Sequence, residues 1–290
     1  MPPLLRGETR LQPRRGDYLI GNYDASPMIP TRLPILSIAG FDPTGGAGII
    51  ADATVFRAFG FHPLTVLTSV AAQGAANVSE VLPLPKTFIA KELAIIASEF
   101  QPQAVKIGML YSSDAVEATA DYLNTQTLPV VLDPLIKSSS GADLVLPAAI
   151  PSIEELLIPH CTLITPNLPE AEFFLGRKLT SLEMVKGAAL QLSEKWQCGV
   201  LVKGGHLEGD PVDVLVYGGE LNEFPHQRIS MRTRIRGTGC SLSTAIAAGL
   251  AQGKNVSEAV ESAITFIAKA IQNAYCSSRS NEVGFLGFEE

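Results

Sequence analysis

Short apolar runs alternate with longer amphipathic stretches along most of the chain. The runs are rich in β-branched residues, which is typical of buried strands, and the longer stretches repeat apolar residues at helical spacing. The predicted strands cover residues 33–40, 64–73, 104–110, 129–134, 161–167 and 198–205. The predicted helices cover residues 46–60, 85–100, 113–126, 168–176, 181–196, 239–252 and 256–276. A small β-hairpin is predicted over residues 213–225.

Repeated strand–helix units predict an α/β fold in which a mostly parallel sheet lies between two layers of helices. We expect one domain over residues 33–276, with a loosely structured, Pro- and Arg-rich extension over 1–32 and a tail over 277–290. Ligands of such folds bind beyond the carboxyl ends of the strands. Chemistry is therefore expected from the residues that directly follow each strand.

Composition narrows the classes of partner. The chain has 290 residues, 46% of them apolar and 18% charged, so it can bury a large core. Its net charge of -7 argues against nucleic acid as a partner. No apolar run predicts a membrane span, and the N-terminal residues lack the apolar segment of a secretory signal. The four cysteines match no zinc spacing, and such scattered thiols predict a reducing cytoplasm.

The stretch RGTGCSLSTAIAAG, residues 236–249, places a cysteine behind a Gly-Thr-Gly turn at the start of a predicted helix. Gly237 and Gly239 allow close approach of a ligand to the backbone, and the free N–H groups of a helix start attract anions. Cys240 would lie in that positive field, which lowers the pKa of a thiol and would leave it partly ionised. The alternative is a glycine turn followed by a small buried cysteine.

A second glycine loop, AGFDPTGGAGIIAD over residues 39–52, joins the first strand to the first helix. It contains neither the strict G-x-G-x-x-G fingerprint nor the Walker A pattern, so the loop alone specifies no nucleotide. Asp52 follows within the helix, where spacing alone favours a solvated face.

Side chains that could bind a ligand lie at the ends of four further strands. Asn167 and Glu170, in TPNLPEAE, are three residues apart at a helix start, where they suit either a hydrated Mg²⁺ or, as the spacing alone favours, ordinary capping. Lys203, in VLVKGGH, ends a strand from which its ammonium can reach phosphate oxygens or solvent. Gln73 and Met109 close two others, where an amide can bind a heterocycle and a thioether can pack on a ring.

Six stretches together resemble the hydroxymethylpyrimidine/phosphomethylpyrimidine kinases, a branch of the ribokinase-like superfamily. They are IAGFDPTGGAGIIAD, KIGML, VVLDP, LITPNLPEAE, VLVKGGH and RGTGCSLSTAIAA, and they span about residues 33–275 in the order of that family. The resemblance implies a ribokinase-like three-layer α/β/α fold, a homodimer, and Mg²⁺-dependent transfer of two successive phosphoryl groups from ATP. The acceptors would be 4-amino-5-hydroxymethyl-2-methylpyrimidine and then its monophosphate, on the route to thiamine.

The resemblance also implies roles for individual residues. The substrate pocket falls on Gly40, Asp52, Gln73 and Met109. The ATP and metal side falls on Asn167, Lys203, Glu170 and Asp133. The anion hole falls on Gly237, Thr238 and Gly239, and Cys240 stands where related sugar kinases carry an aspartate base. Arg236 replaces the histidine common before the turn, and we assign it to phosphate binding on the ATP side or on the monophosphate.

Three alternatives stay open at this point. A pyridoxal or pyridoxine kinase would share the fold and act on another hydroxymethyl heterocycle. A non-catalytic pyrimidine-sensing domain would keep the pocket, but intact Asn167, Glu170 and Lys203 argue against it. A nicotinamide dehydrogenase is disfavoured because the strict dinucleotide fingerprint is missing.

Overall fold

The structure is a computed structural model that describes residues 31–74, 77–138, 141–205, 209–229, 231–277 and 283–288. The extension expected over residues 1–32 therefore lies, up to residue 30, outside the described residues. The first strand begins at Pro34, close to the start expected from the apolar pattern.

The strands form one large sheet. Within the described residues it has nine strands in the order β3-β2-β1-β4-β5-β6-β7-β8-β9. They are β1 Pro34–Phe41, β2 His62–Gln73, β3 Val78–Pro83, β4 Val105–Ile107, β5 Val130–Leu132, β6 Leu163–Ile164, β7 Gly199–Val202, β8 Val212–Tyr217 and β9 Glu220–Pro225. The central strands from β2 to β7 are parallel, and β3, β8 and β9 are antiparallel at the edges. The predicted hairpin is β8–β9, which turns at Gly218 and Gly219.

Helices cover both faces of the sheet, which confirms the three-layer prediction. They are α1 Gly48–Ala58, α2 Lys86–Glu99, α3 Ser113–Leu123, α4 Ile150–Ser152, α5 Leu168–Leu175, α6 Leu182–Trp196, α7 Thr238–Ala251 and α8 Val256–Gln272. Apolar residues of α1, α7 and α8 pack on one face, and those of α2, α3, α5 and α6 pack on the other. None of these helices is long and apolar enough to cross a membrane.

Polar caps fix where several helices begin. The hydroxyl of Ser181 accepts the N–H of Met184 at the start of α6. Asn255 and Glu258 form a reciprocal capping box at the start of α8, in which each side chain accepts the other residue's N–H. Such caps satisfy N–H groups that have no acceptor inside the helix.

Three features were not predicted. The edge strand β3 is short and mostly exposed, so its apolar signal is weak. The segment from Pro147 to His160 forms consecutive short helical turns, in which prolines interrupt the helical period. A second sheet contains the two- and three-residue strands β10 Arg234–Ile235, β11 Tyr275–Cys276 and β12 Val283–Phe285, in the order β10-β12-β11.

The small sheet includes residues of the predicted tail over 277–290. Val283 and Phe285 are buried, and β12 pairs with β10 immediately before the Gly-Thr-Gly turn. A Cβ built on Gly46 would lie 3.0 Å from the ring of Phe285. Residues 283–288 are therefore packed into the domain, next to its first glycine loop.

Candidate active site

The parallel strands bring most of the predicted site residues to one edge of the sheet. Gln73 closes β2, Met109 follows β4, and Asp133 follows β5 directly. Lys203 follows β7 directly and forms a parallel bridge with Asn167, which follows β6. The carboxyl edge of an open α/β sheet is where its ligands bind.

Helix α7 begins at the Gly-Thr-Gly turn with a bare backbone. Gly237 is its N-cap, with a φ of 76°. A Cβ at that position would lie 1.9 Å from the carbonyl oxygen of Gly46, so only glycine fits. The N–H of Ser241 donates to the carbonyl of Gly237, which leaves the N–H groups between them without an acceptor inside the helix. These groups and the helix dipole favour a bound phosphate.

Lys203 lies against this helix start. Its Nζ donates to Asp133 Oδ1 over 2.8 Å and lies 3.3 Å from where a Cβ on Gly239 would be. Burial opposes the charge on Lys203, but the nearby Asp133 and Glu170 outweigh burial and raise its pKa. Lys203 therefore keeps its positive charge beside the free N–H groups of α7.

Asn167 and Glu170 form the capping box that the sequence left as one of two alternatives. Asn167 Oδ1 accepts the N–H of Glu170, and Glu170 Oε2 accepts the N–H of Asn167. The second oxygen, Glu170 Oε1, is buried with no hydrogen-bond partner among the described residues, and so is Asp133 Oδ2. Burial raises the pKa of Glu170 to about 7, with Lys203 opposing and Asp133 adding to the shift. Capping thus uses one oxygen of Glu170, and the backbone of Ile136 also lies close enough to the carboxylate to oppose the rise in its pKa.

Asp52 is fully buried, so the expectation of a solvated face is wrong. Its carboxylate pairs with Lys106, whose Nζ lies 2.8 Å from Oδ2 and 3.0 Å from Oδ1. The hydroxyl of Ser37 donates to Oδ2, and the hydroxyl of Thr244 lies 2.6 Å from Oδ1. These contacts occupy both oxygens within the protein. The role of Asp52 in substrate binding stays a prediction. The geometry favours a role in holding neighbouring residues of the site over direct contact with the substrate.

Cys240 is partly exposed in the first turn of α7. Burial raises its pKa, Asp133 adds to the increase, and the positive charges of Lys106 and Lys203 oppose it. The lowered pKa expected for a thiol at a helix start is therefore wrong, because desolvation and the nearby carboxylates outweigh the two ammonium groups. At neutral pH Cys240 is a protonated thiol.

Gly40 and Met109 are neighbours at the carboxyl ends of β1 and β4. A Cβ on Gly40 would lie 2.9 Å from Ser69 Oγ and 3.3 Å from Met109 Sδ. The hydroxyl of Thr68 donates to the carbonyl oxygen of Met109 and fixes the chain there. Met109 and Gln73 are both partly exposed, so a flat ligand can reach them.

Arg236 joins three segments around the glycine loops. One guanidinium nitrogen donates to the carbonyl of Gly74 over 2.6 Å, and another lies 3.2 Å from Asp42 Oδ2. Its backbone N–H donates to the carbonyl of Gly284 in β12. The guanidinium thus already holds the loops that follow β1 and β2, and its role in phosphate binding stays a prediction.

Comparison with known proteins identifies the family. The family model described as phosphomethylpyrimidine kinase matches residues 42–283, which include every predicted site residue except Gly40. The chain belongs to the phosphomethylpyrimidine kinase family. The resemblance inferred from the six motifs is thereby confirmed, and the protein is a phosphotransferase.

The matches to relatives from two bacteria cover most of the kinase. The chain is 39% identical over 241 residues to the hydroxymethylpyrimidine/phosphomethylpyrimidine kinase of Aquifex aeolicus, a match that spans 82% of this chain and 94% of that protein. It is 35% identical to the enzyme of the same name from Bacillus subtilis, over 82% of this chain and 89% of that protein.

Solved structures share the fold of the kinase. The phosphomethylpyrimidine kinase of Clostridium difficile superposes with a TM-score of 0.73 and 35% identity, covering 83% of this chain and 100% of that one. The pyridoxal kinase of Bacillus subtilis, in complex with ADP, superposes with a TM-score of 0.80 and 31% identity, covering 89% of this chain and 98% of that one. Both confirm the ribokinase-like architecture.

Sequence reasoning missed Lys106, Thr244 and Asp213 at this site. Lys106 is a charged residue inside the apolar run AVKIGML, and burying a charge requires a partner, so its position was a usable signal. Thr244 lies within an apolar helix and gave no comparable signal. Asp213 accepts the N–H of Gly204 through Oδ1 and holds the loop after Lys203, and its position in the hairpin did not indicate that contact.

Proposed function

We propose that the kinase transfers a phosphoryl group from ATP to the hydroxymethyl group of 4-amino-5-hydroxymethyl-2-methylpyrimidine, and a second one to the resulting monophosphate. The product would be the pyrimidine diphosphate used in thiamine biosynthesis. The observation that carries the proposal is the start of α7, where free N–H groups lie against the Lys203–Asp133 pair beside Cys240. Relatives at 35–39% identity are named as kinases of these two pyrimidines.

The start of α7 supplies the electrostatics that phosphoryl transfer needs. Catalysis of this reaction is mainly positioning and neutralisation of charge on the transferring group. The free N–H groups after Gly237 are fixed dipoles that would hold the phosphoryl oxygens. Lys203, kept in place by Asp133, would neutralise the oxygens on the nucleotide side, next to Asn167.

Asp133 and Glu170 fit a Mg²⁺ ion that arrives with the nucleotide. Each carboxylate has one buried oxygen without a partner among the described residues. Mg²⁺ is commonly held by one or two carboxylates together with phosphate oxygens and water. The ion would neutralise phosphate charge.

The acceptor end is assigned to the residues on the other side of Cys240. Gly40 and Met109 would lie against the pyrimidine ring, with Gln73 at the rim to bind its polar edge. Cys240, a protonated thiol, would hold the acceptor hydroxyl in line with the phosphoryl group. Early removal of the alcohol proton is unnecessary, because the transition state of phosphoryl transfer is loose.

The decisive test is ATP consumption with one acceptor at a time. The free pyrimidine alcohol, its monophosphate and pyridoxal are each incubated with ATP and Mg²⁺, and the product masses are measured. We expect turnover of both pyrimidines, and loss of turnover in Lys203→Met. Failure of both pyrimidines to consume ATP would refute the assignment.

Pyridoxal phosphorylation is the second candidate activity. The observation that favours it is the TM-score of 0.80 to a pyridoxal kinase, against 0.73 to a phosphomethylpyrimidine kinase. The lower identity, 31% against 35%, favours the pyrimidine as the main acceptor. We therefore expect kcat/KM for pyridoxal to be smaller than for the pyrimidine alcohol, and the reverse order would make pyridoxal the main substrate.

We also propose that the kinase acts in the cytoplasm as a homodimer. Cys161, Cys198 and Cys240 carry free thiols, as expected in a reducing compartment. Exposed Leu82, Phe88 and Ile95 on β3 and α2 provide apolar area that a second copy could cover. Sedimentation equilibrium is expected to give twice the monomer mass, and the monomer mass would contradict this assembly.

A further inference from the structure

A buried ion pair lies beneath the acceptor end of the site. Lys106 and Asp52 have side chains that are 1% and 0% exposed, and they come from β4 and α1. Neither side chain is open to solvent. Burial opposes the charge on Lys106, but the nearby acidic groups, Asp52 first among them, together outweigh burial and raise the pKa of Lys106, so Lys106 keeps its charge.

Stability alone is a weak reason for such a pair. Desolvation costs several kcal/mol for each buried ion, and replacing both partners with well-packed apolar groups of similar volume is often neutral or stabilising. Removing one partner is costly, because the remaining charge is left unpaired. The pair therefore adds little to the free energy of folding. Because it lies at the edge of the sheet that carries the site, we expect it to have a role other than stability.

The pair is connected to Cys240 through one hydroxyl. Thr244 Oγ1 lies 2.6 Å from Asp52 Oδ1 and 2.7 Å from the carbonyl oxygen of Cys240, one turn earlier in α7. This hydroxyl has a single proton to share between the two acceptors, so a change in the position of Asp52 would change how Thr244 holds the first turn of α7. Lys106 adds a positive charge close enough to act on the Cys240 sulfur.

The pair is also connected to the predicted acceptor pocket. Lys106 lies on β4, three residues before Met109, and its Nζ lies 2.8 Å from where a Cβ on Gly108 would be. Glycine at 108 thus leaves room for the ammonium directly under the end of β4. The N–H of Gly108 donates to the carbonyl of Ile38, which ties this end to β1 and so to Gly40.

We propose that Lys106 and Asp52 are positioning residues that set the distance between Cys240 and the acceptor alcohol held near Met109. The inference rests on the proposed function, because it supposes an alcohol acceptor on this side of Cys240. Through Thr244 the pair fixes the start of α7, and through Gly108 it fixes the end of β4. It acts on the acceptor side of the site, whereas the Lys203–Asp133 pair acts on the nucleotide side.

The first test removes both charges together. The double variant Asp52→Asn/Lys106→Met is expected to unfold cooperatively near the wild-type temperature and to bind ADP with a Kd within threefold of wild type. Its kcat is expected to fall by about 10²-fold, since a misplacement of about 1 Å costs about that much. A kcat within threefold of wild type would overturn the proposal. A double variant that fails to fold would also overturn it, because the pair would then serve the fold itself.

A matched pair of single variants separates the connection to α7 from the rest of the network. Thr244→Val and Ser37→Ala each delete one hydroxyl next to the carboxylate of Asp52, but only Thr244 also contacts Cys240. We expect Thr244→Val to lower kcat about tenfold or more with little change in the KM for ATP, and Thr244→Ser to restore it. Ser37→Ala is expected to lower the unfolding temperature and to leave kcat unchanged. Equal effects of the two deletions on kcat would contradict the proposal.

Alkylation of Cys240 by iodoacetamide, followed by peptide mass analysis, does not depend on kinase activity. The double variant is expected to change the alkylation rate of Cys240 at least fivefold, while the rate at the exposed Cys276 stays the same. An unchanged rate at Cys240 would refute the positioning role. If the wild-type protein phosphorylates no pyrimidine, the proposed function fails, and the alkylation result still decides whether the pair positions Cys240.

Discussion

Replacing Gly237 with alanine should show whether the position of α7 controls catalysis independently of the stability of the fold. The added Cβ would lie 1.9 Å from the carbonyl oxygen of Gly46, whereas Cβ atoms rarely approach other atoms within 3.0 Å. The two segments would have to separate by about 1.1 Å, the difference between these distances. The positive φ of 76° adds about 1–2 kcal/mol of backbone strain. A displacement of that size at the phosphate site is expected to reduce kcat by about 10²-fold.

Gly253→Ala is the matched control. Gly253 follows the other end of α7 with a φ of 82°, and a Cβ there meets no atom within 4 Å. The variant should therefore lose about 1–2 kcal/mol of stability to the same backbone strain, measured by urea unfolding, and keep its kcat in a coupled ATP assay. If Gly237→Ala matches Gly253→Ala in both measurements, the contact with Gly46 does not set the phosphate site, and the reasoning is refuted.

Three further changes test the remaining parts of the site. Cys240→Ser and Cys240→Ala should lower kcat by about 10²-fold while ADP titrations give an unchanged Kd, and wild-type rates in both would remove Cys240 from the reaction. The pKa of Glu170 is raised from 4.5 to about 7, so the metal-free protein should lose up to about 3 kcal/mol of stability as the pH rises between those values. Thermal unfolding of the Glu170→Gln variant should show no such loss. Arg236→Ala should raise the KM of the monophosphate more than that of the free alcohol, and equal changes would contradict a phosphate role.

The sequence predicted what depends on local pattern. Strands, helices and the turn before Cys240 follow from apolar periodicity and glycine placement, and the carboxyl-edge rule then placed Asn167 and Lys203 at one edge of the sheet. Asp133 was predicted only through the family resemblance. Capping of α5 was also predictable, because Asn167 and Glu170 have the three-residue spacing of a capping box. These features need only neighbouring residues and one rule about parallel sheets.

The pairings across the fold could not be predicted in the same way. The local sequence pattern predicts a solvated helical position for Asp52. It does not show that Lys106, 54 positions later, pairs with this carboxylate. The raised pKa of Cys240 depends on desolvation and on Asp133, which a helix-start argument does not include. The order in which β12 returns beside β10 depends on two- and three-residue strands that carry no periodic signal.

The charges buried around position 240 explain why a thiol suits it. Asp133 and Asp52 both disfavour negative charge there, and the two opposing ammonium groups, Lys203 and Lys106, are already paired with them. A carboxylate at 240 would bring a third negative charge into a desolvated site, whereas a thiol stays neutral at pH 7 and costs less to bury. A phosphoryl group bound at α7, as proposed, would then meet N–H dipoles and Lys203 without repulsion from residue 240. The cysteine thus follows from the charge balance that the two Lys–Asp pairs create.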